Sequence, residues 1–108
     1  MIEPEQITPT ELAALLESGE PVQLVDVRDT WEVELAALPG AMVLPLMRLP
    51  ELVDAIDPDV PIVAYCHHGI RSAQAAGYLL SRGFDEVRHL AGGIDAWAEE
   101  VDPGMRRY

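Results

Sequence analysis

The chain has 108 residues, 49% of them hydrophobic, with 19 acidic against 7 basic side chains and a net charge of −12. That length supports one core and leaves no room for a second, and the hydrophobic share excludes a natively disordered chain. The excess of acid excludes nucleic acid and anionic membranes as partners, the lack of any lysine excludes Schiff-base and P-loop chemistry, and the single cysteine, Cys66, excludes an internal disulfide and a multi-thiolate zinc site.

No basic-then-apolar leader is visible at the start, and no apolar run approaches the roughly 18 residues of a membrane span, so the expectation is a soluble cytoplasmic protein. Thr8-Pro9-Thr10-Glu11 has capping-box spacing with proline at the first helical position. Followed by Leu12, Ala13, Leu15 and Leu16 and closed by Gly19, it predicts a helix over residues 9–18. Residues 22–27 read as a strand, and Asp29 or Thr30 caps a brief helical turn through Trp31, Val33 and Leu35 before Pro39-Gly40 breaks the chain. A short strand over 41–44 and a helix over 49–56, bounded by Pro50 and Pro58, come next. Residues 62–65 form a strand without polar alternation, which marks burial on both faces. A small-residue helix over 72–82 ends at Gly83, a last strand covers 86–90 and a last helix 94–100. The tail 101–108 is expected to lie on the surface as an extension.

Strands alternating with helices predict an α/β fold: a central parallel sheet of about five strands with helices on both faces, binding ligands beyond the carboxyl ends of the strands. Cys66 stands at that place, one residue past the buried strand and just before a helix. It also lies within the window Val60 to Phe84, 25 residues without an acid, in which Arg71 and Arg82 are the only charges.

The loop Cys66-His67-His68-Gly69-Ile70-Arg71-Ser72 combines several features of an anion site. The following helix offers unpaired N–H groups and a partial positive charge. Gly69 permits the positive φ that lets successive amides face inward as a nest. Such surroundings favour a thiolate, the reactive form of cysteine. Arg71 either braces the loop or binds an oxyanion, and His67 and His68 either add a proton near neutral pH or are exposed loop polar groups. Adjacent histidines in a tight loop are expected to point in different directions, and no zinc spacing is present, so no metal is expected. His89 reads as structural, Trp31 and Trp97 as packing residues.

Cys66 and Arg71 are separated by four residues, whereas cysteine phosphatases and arsenate-handling relatives have a Cys-x5-Arg loop. The shorter ring of amides suits a smaller group such as a sulfane sulfur, and no second cysteine is present to resolve an adduct.

The pattern resembles a single-domain rhodanese, a sulfurtransferase module, over nearly the whole chain, 1–108. Leu24-Val25-Asp26-Val27-Arg28 with Glu32 resembles the family's Asp-Val-Arg-x-x-x-Glu stretch, and Leu38-Pro39-Gly40-Ala41 with Leu44-Pro45 its Pro-Gly-Ala segment. Cys66-x-x-Gly69-x-Arg71-Ser72 resembles the active-site loop, and Leu90-Ala91-Gly92-Gly93 with Trp97 the closing Gly-Gly-Ile…Trp signature. One departure is that Ala37-Leu38 stands where the family often has His-Ile, a scaffold position.

The resemblance implies ping-pong sulfur transfer. Cys66 takes a sulfane sulfur from a small anionic donor (thiosulfate or a persulfide), holds it as a persulfide within the loop amides and side chains of His67, His68, Gly69, Ile70, Arg71 and Ser72, and passes it to cyanide, a thiol or a sulfur-carrier protein. Asp26, Arg28 and Glu32 are implied as structural support. No cofactor is implied, and a monomer is expected. The alternatives are a non-catalytic interaction module of the same fold and, less favoured by the spacing, a phosphatase or arsenate reductase.

Overall fold

A computed structural model describes residues 4–108; residues 1–3, part of the N-terminal stretch read for a leader, lie outside it. Its strands are β1 (Glu5–Ile7), β2 (Gln23–Asp26), β3 (Met42–Val43), β4 (Ile62–Tyr65) and β5 (Val87–Leu90). Every pairing is parallel and the order across the sheet is β1-β5-β4-β2-β3. Between them run α1 (Pro9–Ser18), α2 (Thr30–Leu35), α3 (Leu49–Leu52, flanked by 3-10 turns), α4 (Ile70–Ser81) and α5 (Gly93–Glu100).

The expected parallel α/β sheet is present, with one strand that composition does not signal. β1 has three residues, two of them exposed, and it exists because its backbone pairs with the edge of β5 in the register Gln6 to His89. The single helix expected over 49–56 is instead one α-helical turn, Leu49–Leu52, and a 3-10 turn, Val53–Ala55, because the backbone bends at Leu52 (φ −108°); a further 3-10 turn, Leu46–Arg48, precedes them.

Central position explains the apolar run of β4. Val63 and Tyr65 enter the core layer beneath α1 and α5 with Leu12, Leu90, Ile94 and Trp97. Ile62 and Cys66 enter the opposite layer, with Ala75, Ala76 and Leu79 of α4 and Leu49 and Val53. The two-residue period of a strand therefore assigns Cys66 to the α4 face. Residues 72, 75, 76 and 79 of α4, at helical spacing, are its buried face, and the small side chains of Ser72, Ala75 and Ala76 let the helix lie close on the sheet. Gly19 adopts the left-handed conformation (φ 76°) that ends α1 where the sequence predicts.

Candidate active site

Cys66 leaves β4 and Gly69, at φ 113°, turns the chain directly into α4. The helix starts at Ile70, two residues earlier than the sequence reading, because a left-handed glycine serves as its N-cap and its carbonyl accepts from Ala73 N at 3.2 Å. The early start brings the first-turn amides over the sulfur. Cys66 Sγ accepts from Gly69 N at 3.1 Å and Ser72 N at 3.3 Å, and lies 3.5 Å from Ser72 Oγ. Cys66 is 1% exposed. Among the loop residues named from sequence, Gly69 and Ser72 thus touch the sulfur directly, while His67, His68, Ile70 and Arg71 form the loop's rim.

A second glycine motif fixes the loop from behind. Ile94 N donates to Cys66 O at 2.9 Å and Asp95 N to His67 O at 3.1 Å, so the first turn of α5 caps the carbonyls of the candidate nucleophile and its neighbour. Gly93 has φ 64°, and a Cβ there would lie 2.6 Å from Cys66 O and collide with the His67 carbonyl. Gly93 is therefore a requirement of loop packing, whereas Gly92, the left-handed N-cap of α5 at φ 73°, leaves no room for a Cβ beside Ala96. Reading the pair only as part of a signature misses this, although two glycines just before a helix signal positive φ and close approach.

Arg71 does not reach into the loop. Its guanidinium forks onto Glu32, with Nη1 to Oε2 and Nη2 to Oε1 both at 2.7 Å. That pairing holds the Glu32 carboxyl down at about 2, with Asp29 N and the Tyr108 hydroxyl also donating to it, and it raises the Arg71 pKa. A thiolate at Cys66 would add a smaller upward push to the Arg71 pKa. Glu32 belongs to α2 and Arg71 to α4, so the pair ties the ends of two elements together beside the sulfur.

Asp26 and Arg28 form the inner part of the same network. Both are fully buried, and Arg28 Nε and Nη2 bond Asp26 Oδ1 and Oδ2 at 3.0 and 2.7 Å. Arg28 Nη2 also reaches Ala36 O at 2.7 Å, and its Nη1 donates to Tyr108 Oη at 2.9 Å. Burial alone would lower the Arg28 pKa, but the bonds to Asp26 and Tyr108 outweigh it and the net shift is upward. A charge at this depth is tolerated because its donors are paired.

Three sequence expectations are corrected here. The tail is only partly the surface extension expected: most of its residues are exposed, but Val101, Met105 and Tyr108 pack on the core layer of α1 and α5. Tyr108 also donates from its hydroxyl to Glu32 Oε1 at 2.8 Å and stacks on His67, and nothing in the sequence signals this return, which joins residues 76 positions apart. The rings of His67 and His68 do not diverge, since their centroids are 3.9 Å apart with 32° between planes, and Tyr108 covers the other face of His67. Burial, then the neighbouring His68, lowers the His67 pKa, which keeps that ring neutral at pH 7. Trp31 is 58% exposed and meets Tyr108 edge-on, so it is not a core residue, whereas Trp97 is buried as expected.

A cavity of about 530 Å³ lies at the amino ends of the strands, lined by Glu5, Pro61, Asp85, Glu86 and Arg88 among others. Three carboxylates make it unsuited to an anion, and it is remote from Cys66. Among the described residues no helix is long and apolar enough to cross a membrane.

The model of the rhodanese-like domain matches residues 8–100. The chain is 39% identical over 104 residues to the Mycobacterium tuberculosis protein named "Probable adenylyltransferase/sulfurtransferase MoeZ", which covers 94% of this chain but only 26% of that protein. It spans about a quarter of that relative's length. It is 38% identical over 97 residues to the thiosulfate sulfurtransferase GlpE of Pseudomonas fluorescens, covering 90% of this chain and 87% of the relative. The crystal structure of a rhodanese-like domain protein from Staphylococcus aureus superposes with a TM-score of 0.83 at 31% identity, covering 96% of this chain and 98% of that one. With the five-stranded parallel sheet and the loop that closes over Cys66, these likenesses show that the chain belongs to the rhodanese-like domain family.

Proposed function

We propose that the chain is a single-domain sulfurtransferase that carries a sulfane sulfur on Cys66. The observation that supports this most is the sulfur's hydrogen bonding: two backbone amides from the start of a helix donate to Sγ, an arrangement that stabilises negative charge on sulfur. The Cys66 thiolate attacks the outer sulfur of thiosulfate or of a persulfide. The donor's S–S bond breaks, sulfite or a thiolate leaves with the electron pair, and Cys66 holds the outer sulfur as a persulfide anion. An acceptor nucleophile, which is cyanide in an assay and a thiol or a sulfur-carrier protein in the cell, then attacks that sulfur and releases the Cys66 thiolate.

Gly69 and Ser72 serve as the nearest donors to the charge, with the remaining amides of residues 67–72 around the added sulfur. Arg71, held by Glu32, keeps its guanidinium beside the loop without entering it, as the positive half of a net-neutral pair. The GlpE relative's name supports thiosulfate as donor, and no step requires a metal or organic cofactor. We place the reaction in the cytoplasm and the protein as a monomer.

The reading is tested by steady-state transfer to cyanide from thiosulfate, glutathione persulfide and mercaptopyruvate, followed as thiocyanate. Parallel-line ping-pong kinetics with at least one donor, abolished in Cys66→Ser, is the expected result. Equal turnover by Cys66→Ser would overturn it.

A further inference from the structure

The sulfur of Cys66 has a third polar neighbour, and that neighbour is coupled to a buried histidine. Ser72 Oγ lies 3.5 Å from Cys66 Sγ, 3.3 Å from Gly69 O and 3.2 Å from His89 Nδ1. Cys66, Ser72 and His89 are 1%, 0% and 4% exposed, so water does not compete for these contacts. The serine hydroxyl has one proton and three candidate acceptors, which makes its direction a choice set by its partners.

Two arrangements satisfy the trio. If His89 Nδ1 carries its proton, it donates to Ser72 Oγ, and the hydroxyl proton turns to Sγ or Gly69 O, of which an anionic sulfur is the stronger acceptor. If Nδ1 is bare, it accepts from Ser72, and the sulfur then meets only the oxygen lone pairs, which suits S–H as donor. We infer that His89 is a positioning residue for Cys66: by donating from Nδ1 to Ser72 it aims the serine hydroxyl at the sulfur and supplies the thiolate with a third hydrogen bond. This rests on the reading of Cys66 as the sulfur-carrying nucleophile, and it assigns to His89 a role that neither its place in a strand nor the sequence pattern suggests.

The charged surroundings leave this switch to the trio itself. On β4 the register partner of His89 is Ala64 and on β1 it is Gln6, both uncharged. Arg88, the preceding residue of β5, points to the other face of the sheet, where Nε is 4.0 Å from Glu5. From α4, Arg71 is committed to Glu32, and in the loop His67 is stacked on Tyr108. Burial is the one cause shifting His89, and it lowers the pKa, so the imidazole is neutral at pH 7 and the question is which nitrogen bears the proton.

Two measurements test it, neither needing sulfur transfer. The first is the iodoacetamide alkylation rate of Cys66 against pH in the full chain. His89→Leu should slow alkylation at pH 7 about tenfold and move the profile to higher pH, as loss of one charge-assisted bond requires. Ser72→Ala should do the same, the double variant should be no slower than either, and His89→Gln, whose amide can donate to Ser72, should recover most of the rate. A His89→Leu profile that superimposes on that of the unaltered protein, or slowing that multiplies in the double variant, would overturn the inference. The second uses the unaltered chain with 15N-labelled histidine. Where Cys66 is thiolate, His89 should be the Nδ1–H tautomer, and alkylating Cys66 should shift the population toward Nε2–H. An Nε2–H tautomer beside the thiolate would overturn it. Absence of a Cys66 persulfide in the unaltered protein would instead count against the sulfurtransferase reading and leave these outcomes intact.

Discussion

The ring of Tyr108 lies flat on the ring of His67, with centroids 3.9 Å apart and 9° between planes. The same tyrosine's hydroxyl, with its pKa raised to about 12 chiefly by burial, bridges Arg28 and Glu32 at 2.9 and 2.8 Å. One side chain from the tail thus joins the loop after β4 to the ionic network of β2 and α2.

Tyr108→Phe keeps the stack and removes the bridge. It should lower stability by about 1–2 kcal/mol in urea unfolding, because Glu32 loses a donor and Arg28 an acceptor. Tyr108→Ala should lose somewhat more and uncover His67. Since burial is the main cause of the lowered His67 pKa, its NMR titration midpoint should rise toward the ordinary value in the alanine variant and stay low in the phenylalanine variant.

Glu32 makes stability depend on acid. Its carboxyl is held at about 2 against an ordinary 4.5, chiefly by the Arg71 fork, so its contribution is complete above about pH 4.5 and is lost as pH falls through 2. The shift corresponds to roughly 3 kcal/mol. Unfolding free energy measured between pH 6 and pH 2 should fall less steeply in Glu32→Gln, which starts from a lower value at pH 6 because it leaves Arg71 without a charged partner.

Gly93→Ala should be far more damaging than any surface glycine change. The added methyl meets the carbonyls of Cys66 and His67 at a backbone φ of 64°, so the loop must move or α5 must detach. A loss of about 3 kcal/mol or more is expected in thermal or urea unfolding. Gly19→Ala, at φ 76° with nothing within 4 Å, should lose only the strain of that conformation, about 1 kcal/mol.

The difference between these two glycines shows what the sequence could and could not convey. Local signals were readable: the capping box at Thr8, the doubly buried β4 and the nest glycine at 69 are consequences of neighbouring residues, and each appears where the pattern puts it. Contacts set by long-range packing were not. β1 exists because an edge of β5 was open, Tyr108 returns across 76 positions to Glu32, and His89 meets Ser72 because β5 and α4 share one face of the sheet. The Arg71 to Glu32 fork falls between the two cases: both residues stood out from sequence, but their pairing needed the strand order that sets β2 beside β4.

On the proposed function, the net charge of −12 would oppose an anionic donor at long range, while the amides of the loop would attract it locally. Raising ionic strength from about 0.01 to 0.15 M shortens the screening length from roughly 30 to 8 Å, so the second-order rate of donor capture should increase with salt if the global repulsion dominates. Stopped-flow persulfide formation across a salt series reads this directly. A rate that falls with salt would mean that Arg71 and the helix terminus control the encounter.

The most direct test of sulfur carriage by Cys66 is intact-protein mass spectrometry after incubation with thiosulfate and removal of excess donor. The prediction is a gain of one sulfur atom, lost on adding cyanide and absent in Cys66→Ser. A chain that never gains the sulfur with any sulfane donor, or a Cys66→Ser variant that gains it equally, would contradict the account.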